Sequence, residues 1–201
     1  MKIEKTKFKG LLIFESKKFN DNRGYFRELG IEKIINKKLI FSIVSKSKKN
    51  VLRGLHMQKN KQQGKYVSVV KGEILDVVVD CRKNSKTFGQ YFSIILSERK
   101  NNSLFIPEGF AHGFCSLSEY SLLHYKMTNY RFKNMEKGIL WNDKEINIKW
   151  PINKPIISNK DKKTEITINW DDEYLKINWN IKSPILSKKD KNGFKFKDIF
   201  F

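Results

Sequence analysis

KYVSVVKGEILDVVVDC, residues 65–81, decides the fold. Two β-prone runs, YVSVV and ILDVVVDC, flank the turn Lys71-Gly72-Glu73. Branched side chains pack well on a pleated surface, and a glycine turn between two such runs reads as a hairpin. The pattern continues outward. Downstream, TFGQYFSIIL, SLFIP and SLLHYKM (Ser121–Met127) read as strands, and Gly109 and Gly113 punctuate the FAHGF segment between them. Upstream, FKGLLIFE (residues 8–15) reads as a first strand. The turn formers Asn20, Asp21, Asn22 and Gly24 then lead into a strand carrying Tyr25 and Phe26. Next, FSIVSKSKKN is a strand running into a polar turn. Strands at near-regular intervals with turns between them predict an all-β sandwich or barrel. The best helical spacing, Ile31, Ile34, Ile35 and Leu39, predicts one short helix over 29–40. No strand alternates with a long helix, which argues against a parallel α/β sheet.

A chain of 201 residues can bury one substantial core. No apolar run approaches the roughly 18 residues of a membrane span, and no apolar signal core follows the basic start MKIEKTKFKG. A cytoplasmic protein without membrane contact is expected. Cys81 and Cys115 sit in apolar stretches without CxxC spacing and are expected as free thiols. The net charge of +20 invites a nucleic-acid reading, but the lysines are spread along the whole chain among many Asn and Ile. A diffuse lysine surface is mostly solvated, so no nucleic-acid partner is expected. Such charge still draws in a small polyanion such as a nucleotide diphosphate.

The chemistry-bearing inventory is short. VLRGLHMQKNKQQGK (residues 51–65) brings Arg53, Gly54 and His56 into tight register, and Lys65 opens the next strand. The other histidines are His112 and His124. Neither an HxH motif nor a His/Glu cluster is present to hold a metal, and GxSxG, P-loop and GxGxxG motifs are absent. A histidine base, a lysine cation and the phenol of Tyr125 suit proton abstraction beside a carbonyl: the base takes the α-proton, the cation steadies the enolate, and the phenol reprotonates the other face. Each has a plainer reading. His56 can be a satisfied core histidine, His112 a histidine bonded within a turn, and Tyr125 an ordinary strand tyrosine. Arg23 can be a solvated turn residue or an anion clamp at a site mouth. His124 should face away from Tyr125, since neighbours on a strand point to opposite faces.

The C-terminal third contains a repeat. WNDKEINIKWPINKPIISNKDK begins at Trp141, and WDDEYLKINWNIKSPILSKKDK begins 29 residues later at Trp170. Without gaps, Trp141/Trp170, Asp143/Asp172, Ile148/Ile177, Trp150/Trp179, Pro155/Pro184, Ser158/Ser187 and Asp161/Asp190 coincide. Two tryptophans with Pro, Ser and Asp in step indicate a local duplication, and two copies are too few for a solenoid.

FNDNRGYFRE, NVLRGLHMQ, GKYVSVVKGEILDVVVDCRKNSKTFGQY, LFIPEGFAHGF, YKMTNY and GILWNDKEINIKWP…ISNKD run in one order over residues 8–161. This series resembles the dTDP-4-dehydrorhamnose 3,5-epimerase family. The resemblance implies a cupin-type jelly roll with a few short helices over residues 1–165; the repeat beyond it is read as a C-terminal extension over 166–201 that holds the second copy and packs on the same domain. It implies His56 as general base with Asp161 as its carboxylate partner, Lys65 as enolate stabiliser and Tyr125 as acid. Arg23, Glu28 and Arg53 match positions that contact the diphosphate or sugar, and Gln58, His112 and Arg131 are further substrate-binding candidates. The family works without metal or organic cofactor. Its members are usually homodimers in which N-terminal strands complete the partner's site. The implied reaction inverts C3 and C5 of a nucleotide-linked 4-keto-6-deoxy sugar of the dTDP-4-dehydro-6-deoxyglucose type, in deoxysugar biosynthesis.

Three departures from the family pattern bear on this. Phe41, Ser42, Ile43 and Val44 stand where the family carries a polar, nucleotide-touching segment, and Arg131 stands where it often has a second tyrosine. The repeat also offers Asp190 as an alternative partner for His56, although spacing from Tyr125 favours Asp161. The readings left open are a 3-epimerase or isomerase of a 4-keto sugar on another nucleotide, and a non-catalytic sugar-nucleotide-binding cupin.

Overall fold

The structure, a computed structural model, describes residues 1–162. The tail assigned from sequence to residues 166–201, with Asp190, lies outside them. Among the described residues 13 strands form two antiparallel sheets and one separate hairpin. The first sheet has the order β1 (Lys2–Lys5), β2 (Leu12–Glu15), β10 (Asn102–Ile106), β7 (Lys65–Lys71), β12 (Tyr120–Met127), β5 (Phe41–Lys48). The second has the order β13 (Glu136–Gly138), β6 (Leu52–Gln58), β11 (Phe110–Ser116), β8 (Glu73–Asp80), β9 (Tyr91–Ser97). The separate hairpin pairs β3 (Lys18–Asp21) with β4 (Gly24–Arg27). Strand order that departs from chain order in both sheets gives the expected all-β jelly roll, with two short helices, α1 (Glu32–Ile35) and α2 (Asn159–Lys162).

The main core lies between the sheets. Val67, Val69, Leu104, Ile106 and Leu123 of the first sheet meet Ile74, Val78, Leu96, Phe110 and Phe114 of the second. The uninterrupted run ILDVVVD in β8 follows from burial on both faces: Ile74 and Val78 point into the main core, while Val77 and Val79 point out. The segment that follows β13 covers that outer face, laying Ile139, Ile146 and Ile148 over Leu55, Met57, Val77, Val79 and Ala111. On the outer face of the first sheet Ile31 joins Phe14, Tyr66 and Phe105.

Several expectations need correction. The first strand is shorter than residues 8–15, because Leu11 N–H bonds Phe8 O in a turn that Gly10 makes at φ +86°. Strand β1 precedes it, in a segment, KIEK, with no apolar signal. The run FNDN is itself half of a hairpin rather than only a turn. Thr87–Gln90 is a turn rather than strand: Asp80 accepts hydrogen bonds there from the hydroxyls of Ser85 and Thr87 at 2.6 Å each, and from the Arg82 guanidinium. The helix over 29–40 is a single turn. Asn36 ends it in the left-handed region, and Ile34 is left exposed.

One close approach sets the register of the second sheet. Gly54 has φ +117°, and a Cβ there would lie 2.5 Å from Gly113 Cα and 2.7 Å from the His112 carbonyl oxygen. Glycines on facing strands thus let β6 and β11 meet with His56 opposite His112. Gly54→Ala is expected to destabilise the protein by at least about 2 kcal/mol, since backbone would have to move on both strands. Chemical denaturation measures this, and unchanged stability would refute the proposed constraint.

Candidate active site

The mouth of the jelly roll holds an open cavity of about 420 Å³. Strands β5, β6, β7, β11 and β12 and the helix α2 supply its walls. His56, Lys65, His112, Tyr125, Asp161, Arg53 and Arg131 all line it. They come from distant parts of the sequence, and the register brings them together. Lys65 pairs with Met127 at the start of β7, and Tyr125 lies two residues before Met127 on the inward face of β12. His124 faces the opposite side, as strand alternation requires.

His56 Nε2 lies 2.7 Å from Asp161 Oδ1. The carboxylate can only accept, so Nε2 donates, and the lone pair that can take a proton is on Nδ1. Burial opposes the Asp161 charge, but the hydrogen bond and charge of His56 outweigh it and hold the carboxyl below its ordinary pKa. Helix α2 sets this carboxylate in place, with Ser158 Oγ accepting the Asp161 N–H at 3.1 Å. Loss of water around Lys65 pulls its ammonium down to about 8, against the attraction of Asp76 and Glu136. The ammonium donates to the His56 carbonyl at 3.5 Å. Burial drives the Tyr125 phenol well above its usual pKa, and the nearby Asp76 charge adds to this, so it stays protonated across the neutral range.

His112 belongs to strand β11 rather than to a turn, and its Nε2 lies 2.9 Å from Asp76 Oδ2. Burial lowers its pKa despite that partner, which keeps the imidazole neutral. The second Asp76 oxygen is buried without a hydrogen-bond partner. Sequence reasoning passed over Asp76, although a carboxylate inside ILDVVVD was a visible signal, since a charge in a doubly buried strand needs a purpose or a partner.

At the rim, Arg131 grips both oxygens of Glu136 at 2.6 and 3.2 Å, and Lys160 pairs with the same carboxylate. Burial raises the Glu136 pKa, but the two cations pull it down to about 2. Glu136 and Lys160 were also missed, because nothing local in their stretches marks them. Arg53 reaches Ser47 Oγ at 3.0 Å on its own rim. The remaining expected residues lie elsewhere. Arg23 is on the β3–β4 turn, paired with Asp21 at 2.6 Å and solvent-exposed. Glu28, just past β4, is exposed. Gln58 is buried away from the cavity, where its amide donates to the carbonyls of Lys61 and Tyr130 and its oxygen accepts the Phe132 N–H. It ties the 59–64 loop to the end of β12 and does not line the cavity. Among the described residues no three His, Cys, Asp or Glu side chains converge on one point. Cys81 and Cys115 are buried free thiols.

This arrangement holds one base with its carboxylate, one half-buried cation and one protonated phenol around a single space. That set can move a proton on and off a carbon beside a carbonyl. Comparison with known proteins agrees. The family model described as dTDP-4-dehydrorhamnose 3,5-epimerase matches residues 5–166. The chain is 48% identical to the dTDP-4-dehydrorhamnose 3,5-epimerase of Shigella flexneri over 168 residues, covering 80% of this chain and 93% of the relative. Among solved structures it is similar to the dTDP-6-deoxy-D-glucose-3,5-epimerase of Legionella pneumophila in complex with dTDP-4-keto-L-rhamnose, with TM-score 0.78 and 39% identity over 81% of this chain and 90% of that one. The Bacillus anthracis dTDP-4-dehydrorhamnose 3,5-epimerase with TDP and pyrophosphate bound gives TM-score 0.78 and 40% identity over 81% and 97%. With the model match spanning most of the chain and the fold and cavity in agreement, the chain belongs to the dTDP-4-dehydrorhamnose 3,5-epimerase family.

Proposed function

We propose that the protein epimerises C3 and C5 of a nucleotide-linked 4-keto-6-deoxy sugar of the dTDP-4-dehydro-6-deoxyglucose type. The observation that carries this reading is the convergence of the His56–Asp161 pair, Lys65 and Tyr125 on one cavity. C3 and C5 both neighbour the C4 ketone, so one base and one acid can serve each in turn. His56 takes the α-proton, and the bond's electrons move into the ketone as an enolate. The Lys65 ammonium stabilises the oxygen charge. Tyr125 then gives its proton to the opposite face of the carbon and recovers one from solvent, while His56 returns its own to solvent. Asp161 orients His56 and supports the transient imidazolium. Arg53 and Arg131 at the rim suit the diphosphate, and His112 with Asp76 walls the cavity behind the phenol.

A homodimer fits the same reading. Hairpin β3–β4 exposes Phe19, Tyr25 and Phe26 together with Arg23, away from this chain's own cavity, and a second copy would bury that apolar surface. Among the described residues no helix is long and apolar enough to cross a membrane. We place the enzyme in the cytoplasm, where nucleotide sugars are made.

Incubating the protein in D2O with dTDP-, CDP- and GDP-linked 4-keto-6-deoxy sugars should give deuterium at both C3 and C5, read by NMR, with one base preferred. Exchange at C3 alone would replace the double epimerase with a 3-epimerase, and no exchange from folded protein with any of the three would overturn the reading. In the same assay His56→Ala should abolish exchange while melting temperature and nucleotide affinity stay near wild type.

The Lys65 pKa makes a separate prediction. Its folded value is lowered, so the cation is complete below about pH 8 and is lost as pH rises through that value. The turnover rate should therefore fall on the alkaline side near pH 8, not near the ordinary lysine value. Lys65→Met should cost about 10²–10³-fold in turnover and remove that limb. A rate flat to pH 10 would exclude Lys65 as the enolate's partner.

A further inference from the structure

Three elements far apart in the sequence meet on one carboxylate at the cavity rim. Glu136 opens β13, whose pairing with β6 sets Glu136 opposite Gln58 and Gly138 opposite His56. Arg131, in the segment that leaves β12, holds both Glu136 oxygens. Lys160, in α2, holds the same carboxylate and directly precedes Asp161. The Glu136 side chain is only 12% exposed, whereas those of its two cations are about half exposed. A carboxylate drawn this far from water is costly unless it is paired, so both cations are drawn to it. All three residues line the cavity that holds His56, Lys65 and Asp161.

This carboxylate reaches the chemistry along two routes. The first is mechanical. Helix α2 is a single turn, too short to hold itself in place. Ser158 shapes it from within, the Val51–Ile156 bridge anchors its approach, and the Lys160–Glu136 pair ties it to β13. Asp161 is the next residue, so that tie governs where its carboxylate meets His56. The second route is electrostatic. Asp76 from β8 and Glu136 from β13 attract the Lys65 ammonium, and Arg131 opposes it. His56 on β6, His112 on β11 and Tyr125 on β12 line the same space, with Arg53, Lys160 and Asp161. Asp76 is fully buried and engaged by His112. Glu136 is therefore the attracting carboxylate that can be altered at the rim without opening the core.

We propose that Glu136 is a positioning residue for both partners of the proton transfer: through Lys160 it seats Asp161 on His56, and its own charge faces the Lys65 ammonium that meets the enolate. Arg131 is its counterweight. It holds the Glu136 carboxylate in place and opposes the field that carboxylate exerts on Lys65.

This inference rests on the epimerase reading, and its tests include one that needs no substrate. Glu136→Gln keeps the side chain's shape and removes its charge. Its kcat should fall about 10–100-fold, the cost of a misplaced group. The alkaline limb of turnover should move from about pH 8 to lower pH, because the lost charge favoured the cation. Arg131→Gln should move the limb to higher pH, because the lost charge opposed the cation. Lys160→Met should lower kcat without moving the limb to lower pH. NMR of lysine-labelled protein, with the Lys65 signal assigned by its loss in Lys65→Met, should show the same two opposite shifts without any turnover. If wild type is inactive in D2O the function fails, and the NMR shifts still decide the electrostatic route. A Glu136→Gln protein that loses turnover with an unmoved limb would reduce Glu136 to a structural residue and overturn the proposal. Full kcat in Lys160→Met would overturn it too, as would limbs that move in the same direction in the Glu136 and Arg131 variants. Should Glu136→Gln not fold, Arg131→Gln and Lys160→Met, both at half-exposed side chains, decide the electrostatic and mechanical routes by themselves.

Discussion

The five-stranded sheet is apolar on both faces, and both must be kept from water. Its inner face meets the six-stranded sheet, but its outer face, with Leu55, Met57, Val77, Val79 and Ala111, needs a separate cover. The segment after β13 supplies it, burying Ile139, Ile146 and Ile148 to within 8% exposure or less. Each such side chain contributes roughly 1.5–3 kcal/mol when taken from water. That segment then continues over the edge of β6 and ends in α2, so the chain that covers the sheet also delivers Asp161 to His56. Apolar packing therefore holds the carboxylate in place, and the site's geometry is only as rigid as that cover.

Charges inside the barrel are kept by the same economy of pairing. Asp161 answers His56, Asp76 answers His112, and Glu136 is shared between Arg131 and Lys160. Lys65 has attraction from Asp76 and Glu136 but, among the described residues, no carboxylate within ion-pair distance. An enolate oxygen would give this cation a close counter-charge. Tyr125 is held neutral by the same burial that lowers Lys65. One dry environment thus favours a proton donor and sharpens the field of a cation, which is how buried sites run acid–base chemistry near neutral pH.

Much of this was legible in the sequence, for identifiable reasons. The hairpin around Gly72 carries long β-branched runs, and the catalytic candidates stand in short motifs such as RGLH and HYKM. What was not legible depends on long-range partners. Strand β1 is made of KIEK and exists only because β2 offers it an edge. The Ile31–Leu39 spacing fits a longer helix, yet one turn suffices to place Ile31 over Tyr66 and Phe14, and Asn36 stops it. Glu136 and Lys160 become site residues through an ion pair spanning 24 positions, which no local pattern encodes. Gln58, two residues beyond His56 on β6, binds the neighbouring loops instead of lining the cavity.

The net charge of +20 is best understood by comparing its two length scales. Within the cavity Arg131 and Lys160 are paired with Glu136, so position matters more than quantity. Over the surface the lysines add to one diffuse field, and at physiological salt it decays over about 8 Å. At the rim, Arg53 bonds Ser47 and the Lys46 carbonyl and, among the described residues, forms no ion pair with a carboxylate. Diffuse charge speeds encounter, and the pairing inside the barrel decides which molecule stays.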